Sequence, residues 1–431
     1  MADLPVTQSK PVRRRRLIVL GVAAALAVAG IGVAIARSGG RTRPADDLKA
    51  AEEALRQNDP AAARSYLDRV LAHSPDDPRA LFLAAQAARR SDACADAERF
   101  LTALDRTALP TPASELEWTL LGVQQGDFRG EEDRLRTEVE RNHPYAPEIL
   151  EALAKGYDVS YRWPEAGLVL SRLLERYPTH VPALVLRGKV LSRIRRLDPA
   201  YDDLRKAVEL APENAAAQTA YASLLNRRGQ TRESILHYEL AQRARPGDAA
   251  IQLGLARALA DAADLPAAIH ALDELLATAP DHPDGLVERA RIALRQRKPA
   301  EAEPLLERAT RLAPWHRDAH RLYRIALNDL SRTDAAAKLD ARIAELNAED
   351  ALGGRLKLRA HNNPDDTAVR WELWLWAVRN GETEEGIAWL TEILRAVPGH
   401  SAAHAAFADF FERVGQPRRA AEHRAIAEKR S

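Results

Sequence analysis

Proline recurs along this chain at a fixed interval, and that interval limits the fold more than any other feature. The series runs Pro75, Pro110, Pro144, Pro178, Pro212, Pro246, Pro280, Pro314, Pro364 and Pro398. Its spacings are 35, then six of 34, then 50 and 34. A period of this size, held over most of a chain, is the mark of a stacked array of one supersecondary unit. One unit cannot bury its apolar face alone. Stacking on neighbours buries a continuous core, and each unit then touches mainly the next.

Composition says what the unit is made of. Hydrophobic residues reach 46% but aromatics only 5%, and charged residues 29%. That Ala/Leu/Arg/Glu-rich mixture favours helices and disfavours a β-sandwich or barrel, which needs more β-branched and aromatic residues. Residues 181–214 show the pattern. Leu184, Gly188 and Leu191 share one face of a first helix; Ala200, Leu204 and Ala207 share one face of a second; Pro212 stops it. The small Gly188 and Ala200 let the two helices approach closely. The same columns return at Ala222, Leu225, Tyr238 and Ala241, at Ala256, Leu259, Ala268, Leu272 and Leu275, and at Ala290, Ala302, Leu306 and Ala309. Gly229, Gly381 and Gly415 fall at one shared position between the helices, where a left-handed residue ends the first.

These columns resemble the tetratricopeptide repeat. Leu184, Gly188, Leu191, Ala200, Leu204, Ala207 and Pro212 match its preferred positions. The resemblance covers nearly everything after residue 44. It divides the chain into eleven units: 44–77, 78–112, 113–146, 147–180, 181–214, 215–248, 249–282, 283–316, 317–350, 367–400 and 401–431. It implies an all-α, right-handed superhelical solenoid of about eleven units, whose concave face is lined by the first helix of each unit and takes up peptides or protein segments. Unit 113–146 departs most, with Glu132 and Arg136 at apolar columns. Unit 317–350 has Ala348 in place of its proline, so its second helix is expected to run on. Residues 351–366 break the period as a spacer. Gly353-Gly354 is expected to break the helix, and Asn362-Asn363-Pro364-Asp365 to turn the chain before a C-terminal pair of repeats, 367–431.

Ahead of the repeats lies a different signal. Leu17 to Ala36 are twenty residues without a charge or a polar side chain. As a helix they span about 30 Å, the thickness of a bilayer's hydrocarbon core. Lys10 and Arg13–Arg16 precede the segment, within a basic tail at 1–16. Only Arg37, Arg41 and Arg43 follow, in a linker at 37–43. Five positive charges against three place the N-terminus in the cytoplasm and the repeats outside it. A cleaved export signal is the competing reading, with Ala34-Ile35-Ala36 as its cleavage site. Two features favour an anchor: the stretch is longer than the usual apolar region of a signal, and Arg37 suits a mature N-terminus poorly.

Charge and side-chain inventory narrow the partners. Lys and Arg total 63 against 62 Asp and Glu, which argues against nucleic-acid binding through bulk charge. The single cysteine, Cys94, rules out an intrachain disulfide and any cysteine-rich metal centre. The resemblance carries groove-facing positions onto Lys155, Lys189, Arg193, Arg227, Arg257, Arg291 and Arg295. They would form a basic ladder suited to an acidic peptide. Trp371 maps to a groove position in an aromatic C-terminal pair that also holds Trp374, Trp376, Trp389, Phe407, Phe410 and Phe411. It is either a binding anchor or, with the other aromatics, packing for the C-terminal cap.

His316/His320 and His400/His404 have the i, i+4 spacing of a metal pair. However, His180, His282, His316 and His400 occupy one repeat position, so they read as an echo at a turn. No phosphate-binding loop, zinc-protease motif or nucleophile elbow occurs. The expectation is a non-enzymatic, membrane-anchored scaffold for proteins at a cell envelope, without cofactor or metal. The alternative is an accessory subunit of an envelope export or assembly system that binds a glycan or a transiting substrate.

Overall fold

The computed structural model describes residues 44–57, 59–128, 130–363 and 366–429. The expected membrane segment, 17–36, lies outside the described residues. Among the described residues there are 22 helices and no strand, and no helix is long and apolar enough to cross a membrane. The chain divides into two bodies, one ending at Pro75 and one running from Asp76 to Ser431. Among its described residues, the first body holds a single helical hairpin, Pro44–Arg56 and Pro60–His73. Its helices pack through Ala51, Ala54, Leu55, Ala63, Leu67 and Val70.

The second body holds the rest of the array, from Pro78–Arg90 to Pro417–Glu428. Most first helices here run 13 residues and most second helices 14. Each start has a local cause. His180, Asn214, Asp248, His282, His316 and His400 all sit one residue before a first helix, and each side chain accepts the backbone N–H three residues on. The repeated histidines are therefore N-caps. Each turn has a local cause too. Asp92, Gly126, Tyr161, Arg195, Gly229, Ala263, Arg297, Ser331, Gly381 and Gly415 all have positive φ. Every hairpin of this body thus ends its first helix on a left-handed residue, whether or not glycine supplies it.

From Pro78–Arg90 to Arg317–Asp329 each first helix packs against the next first helix, while among the described residues second helices make no comparable approach to one another. Neighbours lie closer on the inside of a curve, so the first helices line the concave side. The core passes from repeat to repeat without a break between Leu120 and Leu225. Small residues set the approach distance. A Cβ on Gly188 would lie 2.5 Å from Leu204, and one on Gly254 would lie 2.5 Å from Tyr238.

Two regions depart from the regular unit. The second helix of the third repeat, Glu132–Glu140, has only nine residues. Glu132 sits at its start because Arg162 donates to it twice, at 2.8 and 3.0 Å, and Tyr157 donates at 2.9 Å. The spacer corrects the sequence expectation. Gly353-Gly354 does not break a helix; one helix runs through it from Thr333 to Asn362. The reason is tertiary. The Trp376 indole lies against the Gly353 backbone, where a Cβ would come within 2.4 Å of the ring, and its Nε1 donates to the Glu349 carbonyl at 2.7 Å. Gly353 is there to admit a buried tryptophan, and that packing outweighs the roughly 1 kcal/mol by which glycine weakens a helix. The expected run-on of the preceding second helix is the same feature.

The array also meets itself. Thr391, in the second helix of the 367–400 repeat, donates to the Gly126 carbonyl at 2.8 Å. The last helix, Pro417–Glu428, reaches the second and third repeats through Arg418, Arg419 and His423. Residues nearly three hundred positions apart are thereby joined along the turn edge of the array.

Candidate functional site

The residues of the expected basic ladder all lie on first helices, from Lys155 in Ala146–Val159 to Arg295 in Pro283–Arg295. Most of that ladder is bonded across repeats. Lys155 Nζ lies 2.7 Å from Asp92 and 3.4 Å from Glu151. Arg193 meets Asp158 at 3.1 Å. Arg257 meets Glu288 at 2.9 Å, and Arg291 lies 3.1 Å from the same Glu288 and 3.3 Å from Asp318. Arg227 donates to Ser192 Oγ at 2.8 Å, and Arg295 donates to the Ala260 carbonyl at 3.1 Å.

Three of these contacts, together with the bond Asn226 Nδ2 donates to Asp261 at 3.0 Å, form one zipper. Arg193–Asp158, Arg227–Ser192, Asn226–Asp261 and Arg295–Ala260 each join residues 35 positions apart. A helix stacked on its neighbour brings such residues side by side. Complementary groups at i and i+35 were the signal in the sequence that would have found these pairs.

Among the described residues, three cations of this ladder have no carboxylate within salt-bridge distance: Lys189, Arg227 and Arg295. Lys189 is exposed, yet desolvation holds its ammonium below the usual lysine range, with Asp158 and Asp92 pulling the other way. That is the environment of a group inside a curve, walled by protein but open to solvent. Trp371 is half-buried instead. Its ring centroid lies 4.5 Å from that of Trp374 and 5.9 Å from that of His400, and it packs on the C-terminal core. Trp374 fills the space beside Gly386.

Beneath the ladder lies a buried polar network that periodicity did not reveal. Arg89 Nε donates to Glu117 at 2.5 Å, with both side chains almost fully buried. Gln124 Nε2 donates to the Arg89 carbonyl at 3.0 Å and to Asp92 at 2.8 Å. Burial by itself would raise the Glu151 carboxyl, but Lys155, Arg90 and Arg89 outweigh it and hold the group down to about 2. Glu148 runs the other way, pushed up by burial. Because the folded value of Glu151 lies below its unfolded value, its stabilisation is complete above pH 4.5 and is lost as pH falls toward 2. The difference is worth about 3 kcal/mol. Urea unfolding at pH 7 and pH 3 should show this loss in the parent chain and a smaller one in Glu151→Gln. Equal losses would remove Glu151 from the acid response.

No cluster of three or more potential metal ligands occurs among the described residues. Cys94 is half-buried at the start of helix Cys94–Thr107, and burial pushes its thiol up.

Family models for the tetratricopeptide repeat match residues 54–113, 181–214, 253–314 and 287–351. The chain is a tetratricopeptide-repeat protein. No curated protein matches it in sequence. Among solved structures, this tetratricopeptide-repeat chain is similar to PilW, described as a widely conserved type IV pilus biogenesis factor. The two share 20% identity over 46% of this chain and 91% of PilW, at a TM-score of 0.44. A tetratricopeptide repeat protein of Parabacteroides merdae shares 17% identity over 66% and 98% of the chains, at a TM-score of 0.36. PilF of Pseudomonas aeruginosa shares 16% over 53% and 97%, at 0.37.

Proposed function

We propose that this tetratricopeptide-repeat protein is a non-enzymatic scaffold that captures a carboxylate-bearing protein segment along its concave face. The observation that carries this reading is the uneven neutralisation of the ladder. Lys155, Arg193, Arg257 and Arg291 hold carboxylates of their own chain, whereas Lys189, Arg227 and Arg295 do not. The three belong to the fifth, sixth and eighth repeats, so an extended acidic segment laid along the groove meets them in succession. Arginine on such a segment's carboxylates forms forked, directional bonds, and the concave wall lowers the local dielectric around them.

The apolar stretch at 17–36 would hold the scaffold to a membrane, with the repeats on the far side from the cytoplasm, at a cell envelope. A glycan-binding alternative would need Trp371 as a platform, and the packing of that ring against Trp374 and the C-terminal core weighs against it.

The test is a peptide array of acidic, neutral and basic segments probed with the full chain. Acidic segments should bind best, and their affinity should fall as salt rises. The triple change Lys189→Ala, Arg227→Ala and Arg295→Ala should weaken that binding by about a hundredfold, at roughly 1 kcal/mol for each charged contact. Preference for neutral segments, or an unchanged affinity in the triple variant, would defeat the reading.

A further inference from the structure

We propose that the C-terminal pair of repeats, 367–431, is a separable latch, which the last helix fastens onto the turn edge of the second and third repeats and which can release without unfolding the core within 120–225. This concerns the molecule's own closed and open forms, and it stands whether or not the groove binds acidic segments.

The seam is made of charge and hydrogen bonds. Arg419 lies 3.0 Å from Asp127 Oδ2, and His423 Nε2 lies 3.1 Å from the same oxygen; all three side chains are almost wholly buried. Arg419 also donates to Gln125. His423 stands 2.9 Å from His404, both through Nδ1, so the buried carboxylate is held by groups anchored within the last repeat. At the rim, Arg418 pairs with Asp105 and lies over the Trp118 ring at 4.0 Å. The backbone N–H of Arg418 donates to Glu98 Oε1 at 2.6 Å.

Two features make this a fastening rather than a piece of core. First, the apolar cluster that holds the third repeat does not merge with that of the C-terminal repeats. One runs from Leu120 to Leu225 and the other from Ile387 to Ala420, although their repeats touch. Ordinary junctions further along the array also fall into separate apolar clusters, but this contact places the buried Asp127, Arg419 and His423 side chains at its centre. A buried ion pair adds little net stability against an apolar contact but is specific in geometry, and losing one partner leaves an uncompensated charge. Second, the last helix depends on the seam for its own start. Pro417 opens it, Gln416 gives no side-chain cap, and the next amide, Arg418, belongs to the first turn, where no intrahelical acceptor exists. Glu98, 320 positions earlier in the chain, caps it from across the seam.

The Arg418 amide is therefore a direct reporter of closure. The test is hydrogen exchange and small-angle scattering on the full chain, comparing the parent with Asp127→Ala. The Arg418 amide and the helix 417–428 should exchange at least about tenfold faster, and the radius of gyration should grow, while amides within 120–225 keep their protection. Glu98→Ala removes the cap from the opposite wall, along with that carboxylate's attraction for Arg419, and it should speed exchange of the same amide in the same direction. The latch is refuted if Asp127→Ala leaves both the amide and the radius unchanged. It is equally refuted if protection is lost across 120–225 together with 417–428, because the seam is then one with the core, or if Glu98→Ala leaves the amide untouched.

Discussion

Gly156→Ala should destabilise the second body by about 1–3 kcal/mol, the usual cost of forcing atoms into a filled junction. A Cβ at this position would lie 2.1 Å from the Val123 carbonyl oxygen. That atom is backbone, in the helix of the preceding repeat, so it cannot turn aside as a side chain would. The sign is informative, because alanine is the better helix former by about 1 kcal/mol and would stabilise a helix otherwise. Two other glycines calibrate the result. At Gly188 the obstacle is the Leu204 side chain at 2.5 Å, which can change rotamer, so Gly188→Ala should cost less. At Gly354 no atom lies within 4 Å, so Gly354→Ala should gain stability from propensity alone. Chemical denaturation of the three variants, followed by helicity, gives the order. A Gly156→Ala chain as stable as the parent would mean that adjacent repeats are not held at this distance.

Glu117→Ala should cost about 3–5 kcal/mol, the penalty for stranding one partner of a buried ion pair. Arg89 would keep its guanidinium in a site that is 1% exposed, with the Gln124 Oε1 at 3.4 Å as a weak remaining acceptor. The loss belongs to the junction between helices Pro78–Arg90 and Pro112–Gln124, because each repeat leans mainly on its neighbours. Hydrogen exchange should therefore quicken first in residues 78–124. Glu117→Gln keeps an acceptor at the same place and should recover part of the loss. A small effect of Glu117→Ala, under about 1 kcal/mol, would mean that water reaches Arg89 and that the pair is not buried in solution.

The helices were legible in the sequence because their determinants are local. The columns around Gly188, Leu204 and Pro212 encode a hairpin that needs no distant residue to define it, and the 34-residue spacing repeats that instruction. The N-cap position was visible as a recurring histidine or Asx residue even where its role was not. The turn residue was only half legible. Gly229, Gly381 and Gly415 announced a left-handed position, whereas Tyr161, Arg195, Ala263 and Arg297 adopt it because the hairpin around them leaves no alternative.

The ladder was legible as a set of cations but not as a circuit. Lys155, Arg193, Arg257 and Arg291 find carboxylates one or two repeats away, and a face read along a single helix does not show what lies on the next. Gly353 was misread for the same reason. Within its own helix it looks like a break; against Trp376 it is the gap that lets an indole in.

By itself, then, the amino-acid order determined that this chain is all-α and built of repeated helical hairpins, and it marked where most of their first helices begin. Those properties follow from caps, prolines and apolar periodicity within one unit. The tertiary structure alone decided which charges on the concave face remain unneutralised, and that the far end of the array returns to fasten on Glu98 and Asp127. The first depends on side chains one or two repeats away, and the second on the sum of all the junctions between, which brings residues such as Asp127 and Arg419 together across 292 positions of chain. No periodicity within a unit carries that sum.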